Sequence, residues 1–295
     1  MYPSPIEGYV APTTVDEAVA AFARWGEETH YIAGGQSLMQ AIKSRMVRPK
    51  CLVDLQKIDV IQGIHQEPAS IRIGAMTRYC DIADSELLEG PFAALVDGAG
   101  HVGDRQVRHR GTIGGSLCWN YISACMPAVN LAIGSQLTLA SLSGQTRAID
   151  IEDFLGAPLE TSRQEGELLL SVELPQIVGR AGSAYRKWSL MTDGLPVIGV
   201  GAFLQLDDVG SCSSARISVT GLESGPIRVL TAERALIGVS HSNTKGIEEA
   251  LNDSSTSLDT HSDEEADAEY RRVLFRHLGR DVVTRAFMRA LGNRE

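Results

Sequence analysis

Along the chain the apolar positions switch between a helical and a strand-like period. Val15, Ala18, Val19, Phe22 and Trp25 recur at helical spacing. Thr14 stands before them and Glu17 follows three residues on, so the pattern predicts an amphipathic helix opened by a capping box and stopped at Gly26. Residues 30–33 then read as a short strand running into Gly34-Gly35. Ser37 is placed to cap a helix that extends to about Arg45 and ends at Arg48-Pro49. Strands are predicted over 51–55 and 70–75, helices over 77–88, 92–98 and 128–133, and strands over 136–141 and 168–174. Gly144-Gln145 signals a hairpin and Pro175 closes the last strand. Residues 176–182 read as a linker. Beyond it come strands over 183–188, 197–206 and 215–222, a short helix from Thr231, and a helix over about 265–291. Residues 253–269 hold seven acidic side chains and no Lys or Arg, which predicts a mobile, solvated loop leading into that helix. The arginines of that helix read as a solvated or partner-facing side.

Two glycine pairs interrupt this pattern. Ala33-Gly34-Gly35-Gln36-Ser37-Leu38 follows a strand and precedes a helix, the order that sets backbone N–H groups where an anion can sit. Val-Arg-His-Arg-Gly-Thr-Ile-Gly-Gly-Ser over 107–116 sets two arginines beside a Gly-Gly turn edged by Thr112 and Ser116. Together the two turns are suited to clasp a pyrophosphate. A literal G-x-G-x-x-G at Gly98, Gly100 and Gly103 is rejected as a dinucleotide fingerprint. It follows a predicted helix, no good helix is predicted after it, and no acidic residue lies at the required distance.

Composition narrows the chemistry. The 295 residues are 43% hydrophobic and 22% charged, enough for two domains with cores. A formal net charge of −10 argues against a nucleic-acid backbone as the main partner. Residues 1–5 show no secretory signal and no apolar run reaches membrane-spanning length, so a cytoplasmic protein is expected. Five widely spaced cysteines, none in a C-x-x-C pair, speak against disulfides, structural zinc or an iron–sulfur cluster within the chain. The histidines form no metal pair, and no nucleophile elbow or P-loop occurs. His109 reads as a rim residue, and Cys118 and Cys125 as core. Two phosphate-type turns without a nucleophile suit a protein whose cofactor carries the chemistry.

The 33–38 turn, Arg48-Pro49 with Leu52-Val53-Asp54-Leu55, and the 107–117 stretch together resemble the FAD-binding medium subunit of molybdenum hydroxylases, the group of carbon monoxide dehydrogenase and xanthine dehydrogenase. The resemblance runs over almost the whole chain. It implies an α+β fold in which two subdomains, about 1–58 and 59–176, hold FAD, and 177–295 form a C-terminal α/β domain with a small antiparallel sheet. It places Ala33, Gly34, Gly35, Gln36, Ser37 and Leu38, and Thr112, Gly114, Gly115 and Ser116, at the pyrophosphate. Lys187 matches a position near the isoalloxazine. A small subunit with two [2Fe–2S] clusters and a large molybdopterin subunit are implied as partners, in a dimer of heterotrimers. Electrons would pass from the clusters through FAD to an external acceptor.

The sequence departs from the family pattern in three places. Tyr121-Ile122 stand where an Asp-Pro pair is usual, Cys125 at a later aspartate near the FAD, and Met191 at a frequent arginine. A thiol does not replace a carboxylate as a strong acceptor. Two other readings stay open at this point: a self-sufficient FAD oxidoreductase, and a structural subunit that has lost FAD.

Overall fold

The computed structural model describes residues 6–292. The expectation for 1–5 lies outside the described residues. The first strands, β1 (Gly8–Val10), β2 (Thr29–Ile32) and β3 (Cys51–Asp54), form a parallel sheet in the order β1-β3-β2. Parallel neighbours need crossovers, and the helices Val15–Trp25 and Leu38–Lys43 supply them. The first is capped as expected: the Thr14 hydroxyl accepts from the Glu17 N–H, and Gly26 leaves the helix at φ 72°. It buries Ala18 and Val19 against Cys51 and Val53. The second buries Leu38 and Ile42 against Leu52. Ser37 does not cap it. Its backbone is already helical and its hydroxyl makes no capping bond, a correction to the sequence reading.

A five-stranded antiparallel sheet follows. It contains β4 (Ile64–Gln66), β5 (Ile71–Gly74), β6 (Gln136–Ala140), β7 (Thr146–Asp150) and β8 (Leu168–Leu174), in the order β4-β5-β8-β6-β7. The hairpin falls at Gly144, at φ 78°. The helices Ala93–Gly100, Ile113–Trp119 and Cys125–Ile133 share its core. The helix expected over 77–88 is shorter, Tyr79–Ala83 with a separate turn at Glu86–Leu88. Arg78 bridges to Thr112 as a strand would, which holds the preceding backbone extended. A one-turn helix, Arg105–Arg108, does open after Gly103, capped by Asp104. Gly98 and Gly100 end a helix, so rejecting the fingerprint agrees with the structure. Asn120, left-handed at φ 41°, ends the helix Ile113–Trp119 and donates to the carbonyls of Gly156, Ala157 and Glu160, which pins that loop.

The last sheet is antiparallel: β9 (Arg180–Trp188), β10 (Ile198–Leu206), β11 (Cys212–Thr220) and β12 (Ile227–Arg228), in the order β12-β11-β10-β9. The helices Leu230–Leu236, Thr244–Ser255 and Ala268–Ala290 pack with it. Gly182 lets the long helix lie directly on β9, since a Cβ there would overlap the Ala286 carbonyl oxygen. The acidic 253–269 stretch is not the mobile loop expected. Its first residues finish a helix, Leu258 and Ala266 are buried, and Asp263 is held by Arg271. Arg271 is 2% exposed, so the arginines of the last helix are not all on a solvated side. The helix Cys125–Ile133 also fastens the last sheet to the rest: Ser218 Oγ donates to the Ala128 carbonyl at 2.6 Å. Glu152 pairs with Arg216 and Arg228, and Asp97 with Arg289, across the same junction. Among the described residues no helix is long and apolar enough to cross a membrane.

Candidate functional site

The two glycine segments lie against each other. A Cβ on Gly34 would overlap the Arg110 carbonyl oxygen and stand 2.7 Å from its carbon. A Cβ on Gly115 would stand 3.6 Å from the Ala33 Cβ. Glycine is therefore required at 34 by contact with a second backbone, and the sequence interval between the segments is closed by the fold. A small cavity opens where they meet. Ala33, Gly34 and Thr112 line it, with the exposed Arg78 and Arg110 at its edge.

The two segments contribute differently. After β2 the chain turns through Gly35 at φ 71° into the helix Leu38–Lys43. The backbone N–H groups of Gly35, Gln36, Ser37 and Leu38 have no hydrogen-bond acceptor among the described residues. Four successive free donors form the kind of concave surface that takes an anion. The second segment is a helix start rather than an open turn: Gly114 and Gly115 sit in the first turn of Ile113–Trp119. Its donors are already used. Ile113 N–H bonds Thr77 O, Gly114 N–H bonds Ala75 O, Gly115 N–H bonds the Thr112 hydroxyl and Ser116 N–H bonds Thr112 O. Gly114 is there for closeness, since a Cβ would come 2.6 Å from the Ala75 Cβ. Thr112 is buried, while Gly115 and Ser116 remain half-open toward Ala33. The first segment thus offers donors and the second offers room, its Ser116 hydroxyl being engaged with the buried Tyr79 phenol.

Of the arginines beside the second segment, Arg108 is occupied. Its guanidinium donates to the carbonyls of Val102 and Gly103. His109 is an exposed rim residue, as the sequence suggested.

Two further clusters carry polar groups the fold does not use. On β9, the Tyr185 hydroxyl is fully buried without a hydrogen-bond partner, beside the Cys125 thiol and close to Gly199. Burial pushes the Cys125 thiol up, so it is a neutral group there. The half-buried Lys187 donates to the Gly194 carbonyl. Burial lowers its pKa, against an opposing pull from the Asp193 carboxylate. The structure thus brings Cys125 and Lys187 together around a phenol that motif reading missed. Met191, at the frequent arginine position, is exposed in the loop after β9. The second cluster lies along β2. His30 Nδ1 and Arg163 Nε are buried and without partners. Burial and the neighbouring Arg163 charge lower the His30 pKa, so its imidazole is neutral at pH 7. No sequence motif marked His30 or Arg163.

Unpaired buried polar atoms cost about 1–3 kcal/mol each, so native proteins keep few unless a ligand completes them. Free donors at Gly35–Leu38, next to a cavity edged by the exposed Arg78 and Arg110, fit a large ligand with an anionic middle. FAD has that composition. Among the described residues no group of three or more His, Cys, Asp or Glu is placed to hold a metal ion.

Comparison with known proteins agrees with this geometry. The family model described as the FAD binding domain in molybdopterin dehydrogenase matches residues 4–177. The CO dehydrogenase flavoprotein C-terminal domain matches 183–287. The alpha subunit of the 6-hydroxypseudooxynicotine dehydrogenase complex of Paenarthrobacter nicotinovorans is 32% identical, over 97% of this chain and 96% of its own. The carbon monoxide dehydrogenase medium chain of Hydrogenophaga pseudoflava is 27% identical, over 95% and 97%. Among solved structures, carbon monoxide dehydrogenase from H. pseudoflava, in a form lacking the Mo-pyranopterin moiety, superposes with a TM-score of 0.90 at 28% identity, over 98% of this chain and 99% of that one. Quinoline 2-oxidoreductase from Pseudomonas putida 86 gives 0.88 at 26% identity, over 98% and 100%. The chain belongs to the FAD-binding medium subunits of the molybdenum hydroxylases, and so to a family of oxidoreductase subunits.

Proposed function

We propose that this chain is the electron-transfer flavoprotein of a molybdenum hydroxylase, working in the cytoplasm within a dimer of heterotrimers. A small subunit with [2Fe–2S] clusters delivers electrons, a large subunit holds molybdopterin and oxidises the substrate, and an external acceptor takes the electrons from this chain. Bound FAD supplies the redox chemistry. The protein's share is to bind it, orient it and set the polarity around it. Residues 1–176 hold the cofactor and 177–295 close over it. The Gly35, Gln36, Ser37 and Leu38 N–H groups receive the pyrophosphate, and Gly34, Ala33, Thr112, Gly114, Gly115 and Ser116 give it room. Lys187 and Cys125 face the flavin ring from β9 and the helix beside it. With Cys125 neutral, the charge of Lys187 is met by the Gly194 carbonyl and the exposed Asp193 rather than by a buried carboxylate at position 125.

The observation that carries this reading is the row of unbonded N–H groups held against a second glycine segment. The reading is tested in the assembled complex, by rapid mixing with its reducing substrate in the absence of acceptor. The cluster bands and the flavin band are expected to bleach together or in that order. Full reduction of the clusters with the flavin left oxidised would contradict it. Substrate turnover by the isolated chain would favour the self-sufficient oxidoreductase.

A further inference from the structure

We propose that the cavity between Arg78 and Arg110 is a binding site for a small oxyanion, a phosphate or a carboxylate, distinct from the N–H row that receives the FAD pyrophosphate, and that filling it tightens FAD binding. The coupling rests on the FAD reading above; the anion site does not.

The cavity is built where separate segments meet. Residues 77–79 pair antiparallel with 111–113: the Tyr79 N–H bonds the Gly111 carbonyl and the Ile113 N–H bonds the Thr77 carbonyl, each at 3.1 Å. These bonds flank Arg78 and Thr112, which makes them the closer kind of antiparallel pair, with both side chains on one face. Arg110 stands just before that pairing, and its carbonyl packs on Gly34. Gln56 and Gln62, from the chain after β3, and Met76 complete the wall.

The charge at this cavity is unbalanced. None of its lining residues is acidic, and among the described residues neither the Arg78 nor the Arg110 guanidinium has a hydrogen bond or an ion pair. Elsewhere the fold pairs its arginines: Arg72 with Glu67, Arg147 with Glu167, Arg228 with Glu152 and Glu233. Asp54, close in sequence to Gln56, is taken by the Tyr9 hydroxyl and by Gln56 itself. The Gln62 amide donates to the carbonyls of Gln56 and Ile58. The glutamines are thus fixed, and they bring dipoles rather than a counter-charge. Two like charges at one cavity repel, and an anion between them removes that repulsion. Planar guanidiniums match the oxygens of a phosphate or a carboxylate. Both arginines are exposed, so such an ion can enter from solvent.

Gly35, Gln36, Ser37 and Leu38, which carry the free N–H groups, do not line the cavity, whereas Gly34 does. Gly34 is therefore the wall shared by the two sites. An anion held by both guanidiniums ties the 77–79 segment to the Arg110 turn, whose carbonyl abuts the first glycine segment. It steadies the junction that presents the N–H row, and by linkage FAD tightens the anion in turn.

The probe is inorganic phosphate, titrated calorimetrically into the full chain with and without FAD, with sodium chloride holding the ionic strength constant. Wild type is expected to bind phosphate, and Arg78→Gln and Arg110→Gln to bind it roughly tenfold or more weakly, as for loss of one charge-assisted hydrogen bond. At saturating phosphate the FAD affinity of wild type is expected to rise about fivefold, the lower end of ordinary coupling between sites, with no response in the variants. A fall in FAD affinity overturns the inference, because the cavity is then part of the seat of the pyrophosphate itself. Unchanged FAD affinity, no phosphate binding, or equal binding by the variants overturns it as well. The same titration of the assembled complex separates the sources of the oxyanion. Phosphate uptake there assigns a free ion, and uptake by the chain alone assigns a carboxylate of a neighbouring subunit; both support the site. A wild-type chain that takes phosphate but no FAD overturns the FAD reading and leaves the anion site standing, whereas one that takes FAD but no phosphate overturns this inference alone.

Discussion

Replacing Gly34 with valine is expected to empty the chain of flavin. The glycine packs on a second backbone, and any Cβ would overlap the Arg110 carbonyl oxygen. Backbone cannot swing aside as a side chain can, so the two glycine segments must separate. Overpacking of this kind costs about 1–3 kcal/mol, a factor of roughly five to a hundred and sixty in affinity when the strain is relieved only in the empty state. The flavin-to-protein ratio after gel filtration checks the outcome. Gly100→Ala is the control, because a Cβ there meets nothing within 4 Å, and it should keep its flavin. Equal retention in both variants would show that the junction of the two segments does not hold the cofactor.

The second large effect belongs to Arg271. Its guanidinium is buried and donates to the carbonyls of Val197 and Gly221 and to Asp263 at 2.6 Å. Arg271→Met keeps most of the volume but strands two buried carbonyls. At about 1–3 kcal/mol for each unsatisfied group, a loss of about 3 kcal/mol is expected by chemical denaturation. The acid side of the stability curve carries the same signature. Burial opposes the Asp263 charge, but the Ala266 and Glu265 N–H groups and the Arg271 guanidinium outweigh it and hold the pKa at about 2, below the ordinary 3.8. A carboxylate depressed in the folded state contributes stability that is present above the unfolded value and lost as pH falls through the folded one. Wild type should therefore lose stability from about pH 4 down to about 2, and Arg271→Met should lose less over that interval because part of the contribution is already gone. The same slope in both proteins would remove Arg271 from the linkage.

Much of the fold was legible because local chemistry and final structure agree. Thr14 with Glu17, Gly144 in its hairpin and the apolar run of β8 before Pro175 each state their element in a few residues. The failures have physical causes. The helix expected over 77–88 starts only at Tyr79 because Arg78 pairs with Thr112, a partner no local pattern reveals. The helix Thr244–Ser255 was not foreseen: its polar face outweighs Ile247, Ala250 and Leu251, and Asn243 caps it through Gly246. The acidic stretch looked mobile because its charges were visible and its partner, Arg271, was not.

The site divides in the same way. Both glycine segments could be found from the sequence, since glycine is forced where backbones must approach. Their unequal roles could not, because Ile113 and Gly114 give their donors to Thr77 and Ala75, residues that no motif connects to them. Tyr185 reads in the sequence as an ordinary strand residue, and only its full burial beside Cys125 sets it apart.

The most direct test of the central claim is the visible absorption spectrum of the purified chain, with the released chromophore identified by mass. A flavin spectrum without iron–sulfur bands, and FAD as the released species, is the predicted result. A colourless chain that still takes up no flavin after FAD is added back would contradict it and leave a structural subunit.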